Sequence, residues 1–193
     1  PSQYNLEDMA LDGIALLDLL KIDKAHIVGA SMGGMIAQVI SLNHPERVMT
    51  LTGIMTTPGF DTAGLSGPYP HYINAMRESF LLNLQNKPKE SSEVSNLALI
   101  GPNFLNEEYE NLTKILKSME KHGNNLNSGH MAAVGSSPNR FKRLKEISIP
   151  TLIIHGTEDP LIPIDHGLAI SEQIQNSKKL FIKGMGHNFP TSI

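Results

Sequence analysis

Three residues, far apart in the chain, carry side chains that could together attack a carbonyl carbon. The first is Ser31, in Gly29-Ala30-Ser31-Met32-Gly33-Gly34, a G-x-S-x-G pattern. A serine hydroxyl is a weak nucleophile unless a base takes its proton. The pattern is informative when the serine occupies a sharp strand-to-helix turn, which strains its backbone and exposes the hydroxyl. Such a turn requires small residues two before and two after, or their side chains would strike the neighbouring strand and helix. Gly29 and Gly33 meet that requirement. The Met32 backbone N–H, at the start of the following helix, is placed to donate to a developing oxyanion.

The base is expected after a later strand. His187, in Gly184-Met185-Gly186-His187-Asn188-Phe189-Pro190, has that position, and the glycines let its loop bend. A carboxylate must then fix the imidazole tautomer. Asp159, in Gly156-Thr157-Glu158-Asp159-Pro160, is the candidate; Glu158 is expected to point away, and Asp61 is the rival. His26 and His155 fall in strands and read as structural, whereas His44, His122 and His166 read as surface or helix-end residues. No spacing of His, Asp and Glu suggests a metal site, and the chemistry calls for no cofactor.

These residues need elements to hold them. Asn5 is a plausible N-cap for a helix carrying Leu6, Met9, Ala10, Ile14, Leu17 and Leu20 at helical spacing. Ala25-His26-Ile27-Val28-Gly29 is short and β-branched at its centre, which predicts a buried parallel strand. A helix from Met32 to Leu42 and a strand from Val48 to Met55 follow. The alternation predicts a parallel sheet covered by helices. It breaks between Thr57 and Ser148, where helices are expected near residues 70–86, 92–100, 107–122 and 128–134. A strand at Pro150–Gly156, a helix at Asp165–Ile174 and a strand at Lys179–Ile182 close the chain. The pattern divides into a core with the nucleophile turn (1–57), a helical cap or lid insertion (58–147) and a core segment with acid and histidine (148–193). Ile54, Met55, Ile73, Met76, Phe80, His130 and Leu161 are the candidate substrate-pocket residues, and His71 is a further candidate in the insertion.

Composition narrows the partners. The chain has 193 residues, 40% hydrophobic and 18% charged, with net charge −3 and no cysteine. That suits a globular domain and excludes disulfides and thiolate metal sites. No basic cluster suggests a nucleic-acid partner and no apolar run is long enough to cross a bilayer. A cytoplasmic location and a small-molecule ester substrate are the expectations; the sequence leaves the oligomeric state open.

Gly29-Ala30-Ser31-Met32-Gly33-Gly34, the stretch Gly156 to Pro163 and Gly184-Met185-Gly186-His187 together resemble the α/β-hydrolase superfamily. Within it the chain is similar to the aclacinomycin methylesterase-like esterases, on Met32, the Glu107-Glu108-Tyr109-Glu110 helix and Gly186-His187-Asn188-Phe189-Pro190. The resemblance implies a serine esterase with Ser31, Asp159 and His187 as its triad, in that chain order. It also implies an eight-stranded sheet of which this chain supplies the last four strands. The loop giving a second oxyanion donor would lie before Pro1, and a fragment alone would expose strand 25–29 as an apolar edge and be poorly soluble and nearly inactive. The same residues could cleave a lactone, amide or carbon–carbon bond or catalyse perhydrolysis, or persist in a non-catalytic ligand-binding relative.

Overall fold

The computed structural model describes residues 3–122 and 129–192, and the side chains of residues 115–117 and 119–122, His122 among them, lie outside that description. The chain divides into two compact units: Pro1–Leu65, Asn127–His155 and Asp165–Phe181 form the first; Ser66–Leu126, Gly156–Ile164 and Ile182–Ile193 form the second. This differs from three consecutive blocks at 1–57, 58–147 and 148–193. The last insertion helix groups with the sheet, and the segments bearing Asp159 and His187 group with the other insertion helices.

The first unit is a sheet with helices. Helix α1 (Leu6–Leu19) starts where expected. The Asn5 side chain accepts from the Glu7 and Asp8 N–H groups at 2.6 and 3.2 Å, and Asp8 accepts from the Asn5 N–H at 2.9 Å. This reciprocal box satisfies amides that no helical carbonyl can reach. Leu6, Ala10 and Ile14 are its buried stripe. Strands β1 (Ala25–Ala30), β2 (Val48–Ile54), β3 (Thr151–Gly156) and β4 (Lys178–Ile182) form one sheet in the order β1-β2-β3-β4. The first two pairings are parallel, with Gly29 opposite Gly53, Ala30 opposite Ile54 and Leu51 opposite Thr151. Helix α2 (Met32–Asn43) provides the crossover that the parallel pair β1–β2 requires, and α7 (Ile164–Gln173) lies between β3 and β4 in the chain. β1 ends the sheet order, and Val28 on it is 65% exposed.

Ala37, Leu51, Leu144, Ile147, Ile153, Ile170 and Ile174 form the core cluster, drawn from α2, β2, β3, α7, a 3-10 turn at Phe141–Glu146 and the residues just after the last two. Arg140, before that turn, is buried; its Nε donates to Gln38 Oε1 at 3.2 Å, Nη1 to the Pro138 carbonyl at 3.0 Å and Nη2 to the Thr57 carbonyl at 3.3 Å. Burial pushes its guanidinium down to about 10, partly offset by the charge of Asp61. His166 corrects the sequence reading. It lies in the first turn of α7 but is 1% exposed, with Nδ1 at 2.8 Å from Thr57 Oγ1. His155, inside β3, is fully buried, and a Cβ on Gly167 would press on its ring, 2.6 Å from Nδ1.

The second unit contains α3 (Pro70–Leu84), α4 (Pro88–Leu97) and α5 (Leu105–His122). Ser91 Oγ donates to the Ser79 carbonyl at 2.9 Å and tethers α4 to α3. Helix α6 (Gly129–Ser136) belongs to the first unit. Among the described residues no helix is long and apolar enough to cross a membrane.

Ile153 is 1% exposed at the centre of the core cluster. Ile153→Ala should therefore destabilise the chain by about 2–5 kcal/mol, read as a shift in the urea midpoint at constant m-value.

Candidate active site

Ser31 stands between β1 and α2 with φ 53° and ψ −120°, a conformation that costs an L-residue energy. Hydrogen bonds hold it there. Its N–H donates to the Ile54 carbonyl at 2.9 Å. Its own carbonyl accepts from the Gly34 and Met35 N–H groups at 3.0 and 3.2 Å and from Thr56 Oγ1 at 2.8 Å. Met32 is the first helical residue, so its N–H has no intrahelical acceptor.

The glycine requirement is only partly as the sequence suggested. A Cβ on Gly29 would overlap the Gly33 carbonyl oxygen, so residue 29 must be glycine. A Cβ on Gly33 would meet nothing within 4 Å. The second crowded position is Gly34, whose Cβ would sit 2.6 Å from both Thr56 Cβ and Thr56 Oγ1. The helix turns its next residue, not Gly33, toward β2, and Thr56 occupies the space.

In the second unit, Asp159 and His187 are joined. Asp159 is fully buried. Its Oδ1 accepts from the Leu161 and Ile162 N–H groups at 3.0 and 2.8 Å, and its Oδ2 lies 2.7 Å from His187 Nδ1. The carboxylate is an acceptor there, so Nδ1 carries the proton and Nε2 is the basic nitrogen. Glu158 is exposed. Asp61 accepts from Asn139 Nδ2 at 2.7 Å in the first unit and is not the partner of this histidine.

Backbone contacts fix both loops. The Glu158 N–H donates to the Met185 carbonyl at 3.0 Å, and the Gly184 N–H donates to Thr157 Oγ1 at 2.9 Å. A Cβ on Gly156 would overlap the Met185 carbonyl, one on Gly101 the Gly184 carbonyl, and one on Gly186 the Leu99 carbonyl. The His187 N–H donates to the Leu99 carbonyl at 2.7 Å, just beyond α4. Thr191 closes the segment, its N–H donating to Glu108 Oε1 at 3.0 Å and its hydroxyl to Glu107 Oε1 at 2.7 Å. Hydrogen bonds from Thr191 and Ser192 hold the Glu107 carboxyl below its ordinary range.

Of the other candidate residues, Met32, Ile54, Met55 and His130 belong to the first unit, and Ile73, Met76, Phe80 and Leu161 to the second. Met55 is 2% exposed and Phe80 63%. His71 and His130 are exposed. Gly101 escaped the sequence reading, and Asn188 entered it only as part of the histidine motif. A pocket of about 260 Å³ in the second unit is lined by Leu99, Ile100, Leu112 and Phe189, with Glu108 and His187 among them. Tyr72 on α3 is half-buried; burial first, and then the Asp159 charge, hold its phenol above 10.0. Among the described residues no cluster of His, Asp or Glu could hold a metal.

A family model described as alpha/beta hydrolase fold matches residues 1–190. A 2-hydroxy-6-oxononadienedioate/2-hydroxy-6-oxononatrienedioate hydrolase of Pseudomonas putida is 31% identical over 96% of this chain and 64% of its own length. The chain thus spans just under two thirds of that relative. A rhodomycin D methylesterase of Streptomyces peucetius is 26% identical, over 98% of this chain and 70% of its own. In fold, the chain is similar to the crystal structure of a hydrolase from Pseudomonas aeruginosa PA01, with TM-score 0.74, 24% identity and coverage of 97% and 67% of the two chains.

Two outcomes test this geometry. Gly34→Ala should cost about 1–3 kcal/mol by overpacking against Thr56, while Gly33→Ala should stay within about 0.5 kcal/mol, both read by urea unfolding. Asp159→Asn should lower the Tyr72 titration midpoint, seen in ultraviolet difference spectra against Tyr72→Phe, because removing a neighbouring negative charge favours the phenolate.

Proposed function

We propose that this chain, which belongs to the α/β-hydrolase fold family, is the part of a serine hydrolase that carries the catalytic residues, and that it cleaves a carboxylic ester of a small, apolar molecule. The observation that carries the reading is the 2.7 Å contact between His187 Nδ1 and the buried Asp159 carboxylate. A histidine so held has its tautomer chosen and its Nε2 left as a base, the state a serine nucleophile needs. The strained turn at Ser31 supports the other half of the machinery.

In the proposed reaction His187 Nε2 takes the Ser31 proton as the hydroxyl oxygen attacks the ester carbonyl. The Met32 N–H donates to the oxyanion, a contribution of about 10²–10³ in rate for one donor. The tetrahedral intermediate collapses, and the alcohol leaves with the proton from His187. Water, deprotonated by the same imidazole, hydrolyses the acyl-enzyme and returns Ser31. Asp159 stabilises the imidazolium in both halves. The apolar pocket wall of Leu99, Ile100, Leu112 and Phe189 beside His187 supports an apolar substrate group, and the methylesterase relative supports a small alkyl ester. The helical insertion would act as the lid that sets substrate size.

A second reading keeps the three residues and changes the bond. The 31% identical relative, named for a 2-hydroxy-6-oxo-dienedioate, favours hydrolysis of such an unsaturated oxo-acid over an ester. Initial rates on methyl esters, lactones and an oxo-dienoate, run side by side, separate the two.

A fluorophosphonate probe should add to Ser31 in wild-type protein, located by peptide mass mapping, and should not add to Ser31→Ala. Asp159→Asn should lower kcat by about 10⁴-fold with the fold intact. A folded full-length protein that resists the probe at Ser31 would refute the hydrolase reading and favour a ligand-binding relative.

A further inference from the structure

Asn188 follows the histidine directly and is absent from the proposed chemistry. Its Oδ1 accepts two backbone N–H bonds, from Gly101 at 3.3 Å and from Gly186 at 3.2 Å. Both partners can only donate, so the carboxamide atom facing them must be the oxygen. The other end of the same group, Nδ2, is buried without a hydrogen-bond partner among the described residues. The two hydrogen bonds to the oxygen therefore fix which way the carboxamide faces.

The oxygen bridges two segments that are distant in sequence. Gly101 lies in the turn between α4 and α5 of the helical insertion, and Gly186 is the residue before His187. The bridge runs beside the Leu99 carbonyl that accepts the His187 N–H at 2.7 Å. Gly101 and Gly186 are in such close backbone contact that a Cβ on Gly186 would overlap the Gly101 nitrogen. The histidine loop therefore rests on the insertion through main-chain contacts, and Asn188 is the side chain that clasps the two.

We propose that Asn188 is a positioning residue: its carboxamide oxygen locks the α4–α5 turn to the histidine loop, so that the helical insertion sets the position of His187. The inference rests on His187 being the base proposed above. It gives the insertion a role beyond covering a substrate, since disturbance of residues 99–101 is transmitted to the imidazole. It also specifies which half of the carboxamide works. An acceptor is needed at position 188, and a donor is not.

The test compares Asn188→Leu, which removes the acceptor at similar volume, with Asn188→Asp, which keeps it. Hydrogen–deuterium exchange followed by mass spectrometry reads the clasp without any substrate. In Asn188→Leu, amide exchange in peptides covering residues 99–104 and 184–190 should rise together by at least tenfold, while a peptide covering β2 stays protected. With an ester substrate, kcat should fall about tenfold to a hundredfold with KM within twofold, because the base and not the substrate contact is displaced. Asn188→Asp should restore the exchange protection and most of kcat. The proposal is overturned if Asn188→Leu leaves exchange at both peptides unchanged, or if Asn188→Asp is as impaired as Asn188→Leu. A full-length protein without probe labelling or turnover would refute the hydrolase reading instead, and the exchange comparison would still decide the clasp.

Discussion

A carboxyl group with no exposure to solvent must find all its hydrogen bonds inside the protein, and Asp159 is such a group. Two backbone N–H groups from its own loop and one imidazole satisfy it. The loop donors come from Leu161 and Ile162, so the tight bend after Pro160 is what orients the acid. The imidazole comes from the last loop, so that loop must lie close by. The arrangement of the second unit follows from bringing these partners together around one buried anion.

Close approach of backbones makes this possible. Gly156, Gly101 and Gly186 stand where a methyl group would overlap a neighbouring main chain. They let the end of β3, the turn after α4 and the histidine loop pack with no side chain between them. Hydrogen bonds then run directly from amide to carbonyl, as from His187 to Leu99. Under the proposed reaction such rigid placement of His187 matters chemically, since a displacement of about 1 Å can cost ~10²-fold in rate.

Much of the scaffold was legible in the sequence because its signals are local. The Asn5 cap, the short β-branched strand before Ser31 and the helix from Met32 to Leu42 mark elements that the structure places within one or two residues. Helix α4 begins four residues before the expected 92 because Pro88 opens its first turn, a position proline favours. The 3-10 turn at Phe141–Glu146 has too few residues to show a period. In the site, the types and chain order of Asp159 and His187 identified a pair that geometry joins. What could not be read was the packing between distant segments: that Thr56 crowds Gly34 rather than Gly33, that His166 is sealed under Thr57, and that Leu99 receives the His187 amide. Each depends on residues at least 20 positions apart, and no single-residue propensity carries that information.

Ser31 and Met55 leave their parallel strands in the same way, at φ 53° and 42°, each with its N–H bonded to the next strand's carbonyl. An L-residue there is held uphill, and glycine would relax it. Position 31 thus sets durability against reactivity: the substitution that would make the turn most comfortable, Ser31→Gly, would also delete the hydroxyl. At position 31, therefore, a relaxed backbone and an oxygen-bearing side chain are mutually exclusive, whereas at position 55 glycine would remove only a thioether.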